Sequence, residues 1–458
     1  MLVTARASVP VLPIAAVLIA GALLRLANLS NSVAAVDLSW RAWSYHAATE
    51  GPARMYGPTG HTVSLGDIEV PVVYPPLALY ELALIGRVHL ARSDGRFPND
   101  VRLTRTIKGA IVLLDAALTA IIFAIVRRAA GLRRALWAGA AYWLNPAVLM
   151  ATTLGYVDVA VAIPAVGAVV AASYGRPWPA GALFAAAVLT KPQGVFIAPA
   201  VALALWNAGD SHGRIARLVA GAAASAIAAA IVIAPIIAAG NTANMLRSVA
   251  VLAGHDMLSG LAANAWWIVS YLFEAAAAGE EGLRAALQVH PQVLTHAYAM
   301  ERGFPNPRLV AIVLFGVPLV WALTISVRAR GLGLHAALAA FIVTAYFTLS
   351  VQVHENHFFL ALPLLVVAAA LRREFVPVLA ALSVGFGLNL YLMLGTRGDG
   401  PAEAALTVAG IDSTVWLAVV NCAVLAWFAR IYAHTVRHHL QTTSNAERAK
   451  AAKKTGVF

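Results

Sequence analysis

Three short segments hold residue types whose spacing could support chemistry. The first is Ala35-Val-Asp37-Leu-Ser-Trp40-Arg41-Ala-Trp43. Asp37 follows a long apolar run, and a carboxylate at the edge of such a run can have its pKa raised and act as a general base. It can equally cap a helix that starts at Leu38. Trp40 and Trp43 suit either headgroup-level anchoring or contact with a substrate. The second segment, Lys191-Pro192-Gln193, puts a point charge and an amide beside a helix breaker, which suits the binding of an anionic phosphate. The alternative is a lysine that snorkels from a helix end. The third, Val353-His354-Glu355-Asn356-His357, has histidines at i and i+3, on one side of a helix. That falls one residue short of the zinc-protease pattern, and no third ligand stands out. The same histidines could help to hold a lipid phosphate.

Other positions are read as follows. Asp115 lies inside an apolar run, which makes it either a functional carboxylate or half of a buried ion pair. Asp158 stands at a helix start, where the helix dipole favours a carboxylate, and serves as a substrate contact or a cap. Tyr74-Pro75-Pro76 forces an extended approach to a helix, a rigid corner that shapes a site. Asn264 and Trp266 in Ala263-Asn-Ala-Trp266 are candidate substrate contacts, the tryptophan also reading as a belt residue. The one cysteine, Cys422, excludes an intrachain disulfide and a cysteine metal cluster. The chain holds no Walker A sequence and no dinucleotide fingerprint.

The elements that must position these residues follow from composition. Of 458 residues, 60% are hydrophobic and 12% charged, with mean hydropathy +0.76. Soluble domains carry about 25% charged residues, so the chain reads as an all-α polytopic membrane protein. Apolar runs lie at 8–29, 107–126, 134–151, 156–174, 179–206, 214–238, 308–327, 334–351, 357–371, 375–394 and 411–432. A lysine at mid-membrane depth costs about 2.5–3.5 kcal/mol and proline breaks a helix. The run at 179–206 is therefore expected to split at Lys191-Pro192, giving about twelve transmembrane segments.

Residues 72–92 contain Glu81, Arg87 and His89 and are expected to lie along the membrane surface. With that assignment Arg127, Arg128, Arg133, Arg134, Arg176, Arg214, Arg217, Arg328, Arg330, Arg372 and Arg373 share the cytoplasmic side, as the positive-inside bias requires. The net charge of +12 is thereby explained without nucleic acid. The loops 30–106, 239–307 and 395–410 then fall on the outer face, together with all three segments above. The chain is expected to divide into a module at 1–238 with its first outer loop at 30–106, a large outer loop at 239–307, a second transmembrane module at 308–434 and a basic cytoplasmic tail at 435–458.

Six motifs in order resemble those of the GT-C membrane glycosyltransferases that use polyprenyl-phosphate sugars, above all the dolichyl-phosphate-glucose-dependent glucosyltransferases of N-glycan assembly. They are Asp37 with Trp40 and Trp43, Tyr74-Pro-Pro-Leu-Ala-Leu-Tyr80, the basic approach Arg105 to Lys108 leading to Asp115, Lys191-Pro-Gln193, Ala263-Asn-Ala-Trp266 and Val353-His-Glu355. The sequence departs from the eukaryotic enzymes at Asn356-His357 and at Tyr156 with Asp158. The resemblance implies a GT-C type fold in the plasma membrane, with the site on the extracytoplasmic face. It implies an inverting transfer of a glucosyl or mannosyl residue from a polyprenyl-phosphate donor, undecaprenyl or decaprenyl, to a lipid-linked or cell-envelope glycan. Asp37 would deprotonate the acceptor, with Lys191, His354, Arg41, Gln193 and Glu355 around the donor. Trp40, Trp43, Tyr74, Asp158, Asn264, Trp266 and His357 would be substrate-binding candidates. No metal and no cofactor is expected, because a lipid monophosphate leaving group needs neither bridging nor protonation. The alternatives are a secondary transporter of a lipid or solute and a zinc-dependent membrane hydrolase.

Overall fold

A computed structural model describes residues 11–58, 61–209, 213–279, 282–396, 398 and 406–454; the side chains at 11, 37, 38, 253 and 446–454 lie outside it. The first residues of the expected span 8–29, Arg397 and the side chains of Arg448, Lys450, Lys453 and Lys454 therefore fall outside the described residues.

The protein is a polytopic membrane protein of the all-α class, with little strand. Its helices in chain order begin with α1 (Val11–Leu26), α2 (Arg41–Thr49), α3 (Pro76–Arg92), α4 (Val101–Ala130), α5 (Leu132–Trp143), α6 (Pro146–Thr153), α7 (Asp158–Ser173), α8 (Pro177–Thr190), α9 (Ala198–Asn207) and α10 (Arg214–Ala238). They continue with α11 (Thr242–Gly254), α12 (Ala265–Ala278), α13 (Leu283–Leu287), α14 (His296–Glu301), α15 (Pro307–Ser326), α16 (Leu332–Leu349), α17 (Ala361–Leu371), α18 (Val376–Leu394) and α19 (Ser413–Lys454). Among the described residues six helical stretches are long and apolar enough to cross a membrane: α4, α10, α15, α16, Arg373–Leu394 and Ser413–Asn445. Shorter apolar helices, α7, α8, α12 and α17 with most of α1, complete the set.

Burial sorts these helices. The apolar window of α16 is 89% buried, whereas those of α10 and α15 are only 17% buried. Thus α16, with α17 against it, is the centre of the bundle. The exposed Ile215, Val219, Ile227 and Ile231 of α10 and Leu309, Ile312, Val317 and Val320 of α15 form its apolar outer surface. An apolar face of that extent is what a bilayer covers.

Proline and asparagine set the helix boundaries. The run at 179–206 breaks at Lys191, where α8 ends and a 3-10 turn, Pro192–Ile197, leads into α9. The run at 134–151, expected as one span, is also broken: Asn145 accepts from the N–H of Ala147 and Pro146 starts α6. Proline at a first helical position loses no hydrogen bond. Two further segments are helical where the sequence reads only as a loop and a tail. The loop 239–307 holds α12, whose Trp266 and Trp267 are buried rather than interfacial. The last span continues without interruption into the basic tail as α19, so 435–454 is helix.

At one end of the bundle the connections form small sheets. β1 (Thr62–Leu65) and β2 (Ile68–Pro71) make an antiparallel hairpin. β3 (Ser259–Gly260) pairs in parallel with β4 (Val353–His354), tying the segment after α11 to the connection between α16 and α17. β5 (Thr407–Val408) and β6 (Ile411–Asp412) precede α19. α2 and α3 cross closely because Gly86 lies on the backbone of Ser44, where an added Cβ would stand 2.2 Å from the carbonyl oxygen.

Candidate functional site at one end of the bundle

The helix leading to Trp43 starts before Asp37, with residues 34–35 already helical, and winds as a π-helical turn over Val36–Trp40. Asp37 is therefore inside a helical run and does not cap it, which corrects the capping reading. Turns of this type are rare and recur at functional sites. Trp40 anchors the turn by donating from its indole to the carbonyl of Gly155 at 3.0 Å. Gly155 has φ +73, and a Cβ there would meet Val36 at 2.5 Å, so glycine permits both the turn and the contact.

A cavity of about 900 Å³ opens beside this turn. Its walls come from Ala35, Ser39, Trp40 and Trp43, from Val70, Pro71, Val73 and Tyr74, from Tyr156, from Lys191 to Gln193, and from His354 to His357. An apolar side is formed by Leu246, Val249, Val251 and Leu252 of α11 with Val195 and Phe196. Trp40 packs edge to face on Trp43 and Tyr74, which are tilted against each other, with ring centroids 5.1–5.4 Å apart. The Tyr56 hydroxyl donates to the Tyr74 carbonyl at 2.8 Å and fixes that corner.

Lys191 is the one Lys or Arg on the described wall. Its ammonium lies 5.8 Å from the centre of the Tyr74 ring and donates to Asp158 at 2.6 Å. Asn356 donates to the second oxygen of Asp158 at 3.0 Å. Asp158 stands in the first turn of α7, and its carboxylate is spent on Lys191 and Asn356 rather than on capping. Glu355 accepts from the Tyr156 hydroxyl, and burial pushes its carboxyl above the usual carboxylate range. His354 and His357 do not share a helical face, which corrects the expected geometry: α17 starts at Ala361, and the two residues bracket a turn in which His357 Nδ1 accepts from the N–H of His354 at 3.4 Å. Burial lowers both histidines, His354 to about 4, with His255 and Lys191 adding to the effect. Both are neutral at pH 7.

The remaining candidates lie elsewhere. Arg41 donates to Asn99 at 3.2 Å and Thr104 at 2.5 Å, joining α2 to α4, and is not on the cavity wall. Asn264 caps α12 and donates to the carbonyl of Phe347, while Trp266 donates to Leu349, so both tie α12 to the end of α16. Asp115 forms a buried pair with Arg25 at 2.6 Å and accepts from Tyr142 at 2.6 Å and Thr152 at 3.1 Å. Among the described residues no group of three or more His, Cys, Asp or Glu could hold a metal ion. In the sequence Tyr156 stands out only as a departure from the family pattern; its place at the start of an apolar run, two residues before Asp158, is the available signal.

No protein-family profile matches the sequence, and no curated protein does. Among solved structures the chain is similar to the apo-state crystal structure of ArnT from Cupriavidus metallidurans, with TM-score 0.40 and 12% identity over 92% of this chain and 77% of that chain.

Proposed function

We propose that the protein is an inverting membrane glycosyltransferase of the GT-C type. It transfers a hexose from a polyprenyl-phosphate donor to a lipid-linked or cell-envelope glycan acceptor. The observation that carries this reading is the single cavity that gathers four of the six motif segments, around Trp40, Tyr74, Lys191 and His354, from positions more than 300 residues apart. A cavity with an apolar wall on α11 and a polar end at Lys191 suits a ligand that is half lipid and half polar.

In this reading Asp37 is the general base that takes the acceptor proton as its oxygen attacks the anomeric carbon. The sugar–phosphate bond breaks in the same displacement, and the lipid phosphate leaves as an anion stabilised by Lys191. The donor tail lies against α11 and the hairpin β1–β2. On this reading the cavity lies on the extracytoplasmic side, supported by the basic residues Arg127, Arg128, Arg133, Arg176, Arg214, Arg328 and Arg372 at helix ends away from the cavity-lining segments, as the positive-inside bias would have at cytoplasmic ends. A transport path is less well supported, because Asp115, its best intramembrane carboxylate, is occupied by Arg25, Tyr142 and Thr152.

The test is release of polyprenyl phosphate by purified protein in nanodiscs supplied with undecaprenyl-phosphate glucose or mannose and membrane glycolipid extract. Release that requires the extract supports the assignment. Absence of release with both donors, alongside uptake of either lipid or solute into vesicles, would favour transport.

A further inference from the structure

Two buried polar atoms on the cavity wall have no hydrogen-bond partner among the described residues, and a carboxylate beside them is only partly matched. The indole N–H of Trp43 and the side-chain oxygen of Gln193 are both buried and unmatched. The carboxylate is that of Glu355, on a residue 8% exposed. Its Oε1 accepts from Tyr156, but the closest basic atom to Oε2, Nδ1 of His354, stands 3.8 Å away. Buried polar groups are normally satisfied, so atoms left open on a cavity wall call for polar groups on a ligand.

The chemistry of those groups can be narrowed. A charged Glu355 needs a donor at Oε2; a protonated one needs a partner that can accept. A phosphate diester has no donor and repels a carboxylate, so it serves neither Glu355 nor the Gln193 oxygen. A sugar hydroxyl donates and accepts, and serves Glu355 in either protonation state. Lys191, by contrast, offers donors only, and it lines the same cavity as Gln193 and Glu355, so a phosphate held at Lys191 would leave its sugar within the space that those two residues border.

Glu355 is also rigidly held. Its N–H donates to the Gly260 carbonyl at 3.1 Å, its carbonyl accepts from Asn389 at 3.3 Å, and β4 pairs with β3 just before it. A recognition group fixed at the backbone loses little freedom on binding. We propose that Glu355 and Gln193 form a hydroxyl-reading subsite for a neutral hexose, separate from the phosphate contact at Lys191. This moves Glu355 from the donor phosphate to the donor sugar, and it rests on the glycosyl-transfer reading above.

Binding to full-length protein in nanodiscs tests it without knowledge of the acceptor. The probes are undecaprenyl phosphate, undecaprenyl-phosphate glucose and mannose, their monodeoxy analogues and an amino-sugar counterpart. Glu355→Gln and Gln193→Ala should each weaken the sugar-loaded lipid by about tenfold or more while changing bare undecaprenyl phosphate by less than about twofold. Tyr156→Phe, which keeps the carboxyl, should weaken the sugar-loaded lipid alone and by less. One monodeoxy analogue should lose its penalty in Glu355→Gln. Equal loss on both lipids, no loss on either, or tighter binding of the amino-sugar lipid through Glu355 would overturn the subsite. A native protein that binds none of the lipids would instead sink the glycosyl-transfer reading.

Discussion

Lys191 and Asp158 are ion-paired at 2.6 Å with both side chains buried, and Asn356 holds the far oxygen of the carboxylate. The only Lys or Arg charge on the described cavity wall is thus matched before any ligand arrives. In the proposed reaction an incoming phosphate would share Lys191 with Asp158, which would limit how tightly it is held and favour its release after transfer.

Breaking one side of a buried pair strands the other charge, at a cost of about 3–5 kcal/mol. Lys191→Ala is therefore expected to lower stability by about that much and to weaken donor binding. Lys191→Ala combined with Asp158→Ala should regain most of the stability and none of the donor affinity. Thermal unfolding in detergent and donor titration check the two halves separately. A double variant as unstable as the single one would remove the ion pair from the explanation.

Asp37→Asn keeps the shape of the residue and the π-helical turn that carries it. Turnover is expected to fall by roughly 10²–10⁴ while the donor KM stays within about twofold, because a general base acts in the displacement and not in donor binding. Steady-state kinetics with a sugar-loaded polyprenyl phosphate decide this. Undiminished turnover would take Asp37 out of the mechanism.

How far the sequence discloses this arrangement depends on the range of each interaction. The break at Lys191-Pro192 is local chemistry: a proline and a charge within an apolar run, readable without knowing any neighbour. The break at Asn145-Pro146 carries the same signal, an asparagine cap followed by proline, but sits in a run without a charge to draw attention to it. Asp115 was legible as an unusual carboxylate, yet its partner Arg25 lies 90 residues earlier and no periodicity links the two. Tyr156 and Glu355 are 199 residues apart and meet only because Gly155 lets its turn dock against Val36 and Trp40. The spacing of His354 and His357 fits one turn of helix, but the pairing of β4 with β3 extends the backbone there.

Arg25 and Asp115 give a structural counterpart to the cavity pair. Both are buried, and Arg25 also lies over the Trp143 ring at 3.8 Å. Asp115→Ala is expected to destabilise the protein by about 3–5 kcal/mol and to leave the kcat of the surviving fraction unchanged. Unfolding curves and active-site titration of the same preparation provide the check. A stable Asp115→Ala protein with lost activity would instead place Asp115 on a functional path.

Two sets of histidines should give stability opposite dependences on pH. Burial holds His354 at about 4 and His357 well below the ordinary histidine value, so below about 6.5 the unfolded chain binds protons that the folded site does not. Their contribution is complete above about 6.5 and is lost as the pH falls. His290 is raised by its hydrogen bond to Asp412 at 2.5 Å, so it stabilises below about 6.5 and that contribution disappears as the pH climbs through its folded value. Melting curves from pH 5 to 8 are expected to rise toward neutrality in the native protein. The acid-side slope should flatten in His354→Gln with His357→Asn, whereas Asp412→Asn should lower stability at pH 6 more than at pH 8. An acid-side slope that survives loss of both histidines would show that other groups, and not the neutral pair at the cavity wall, govern the acid response.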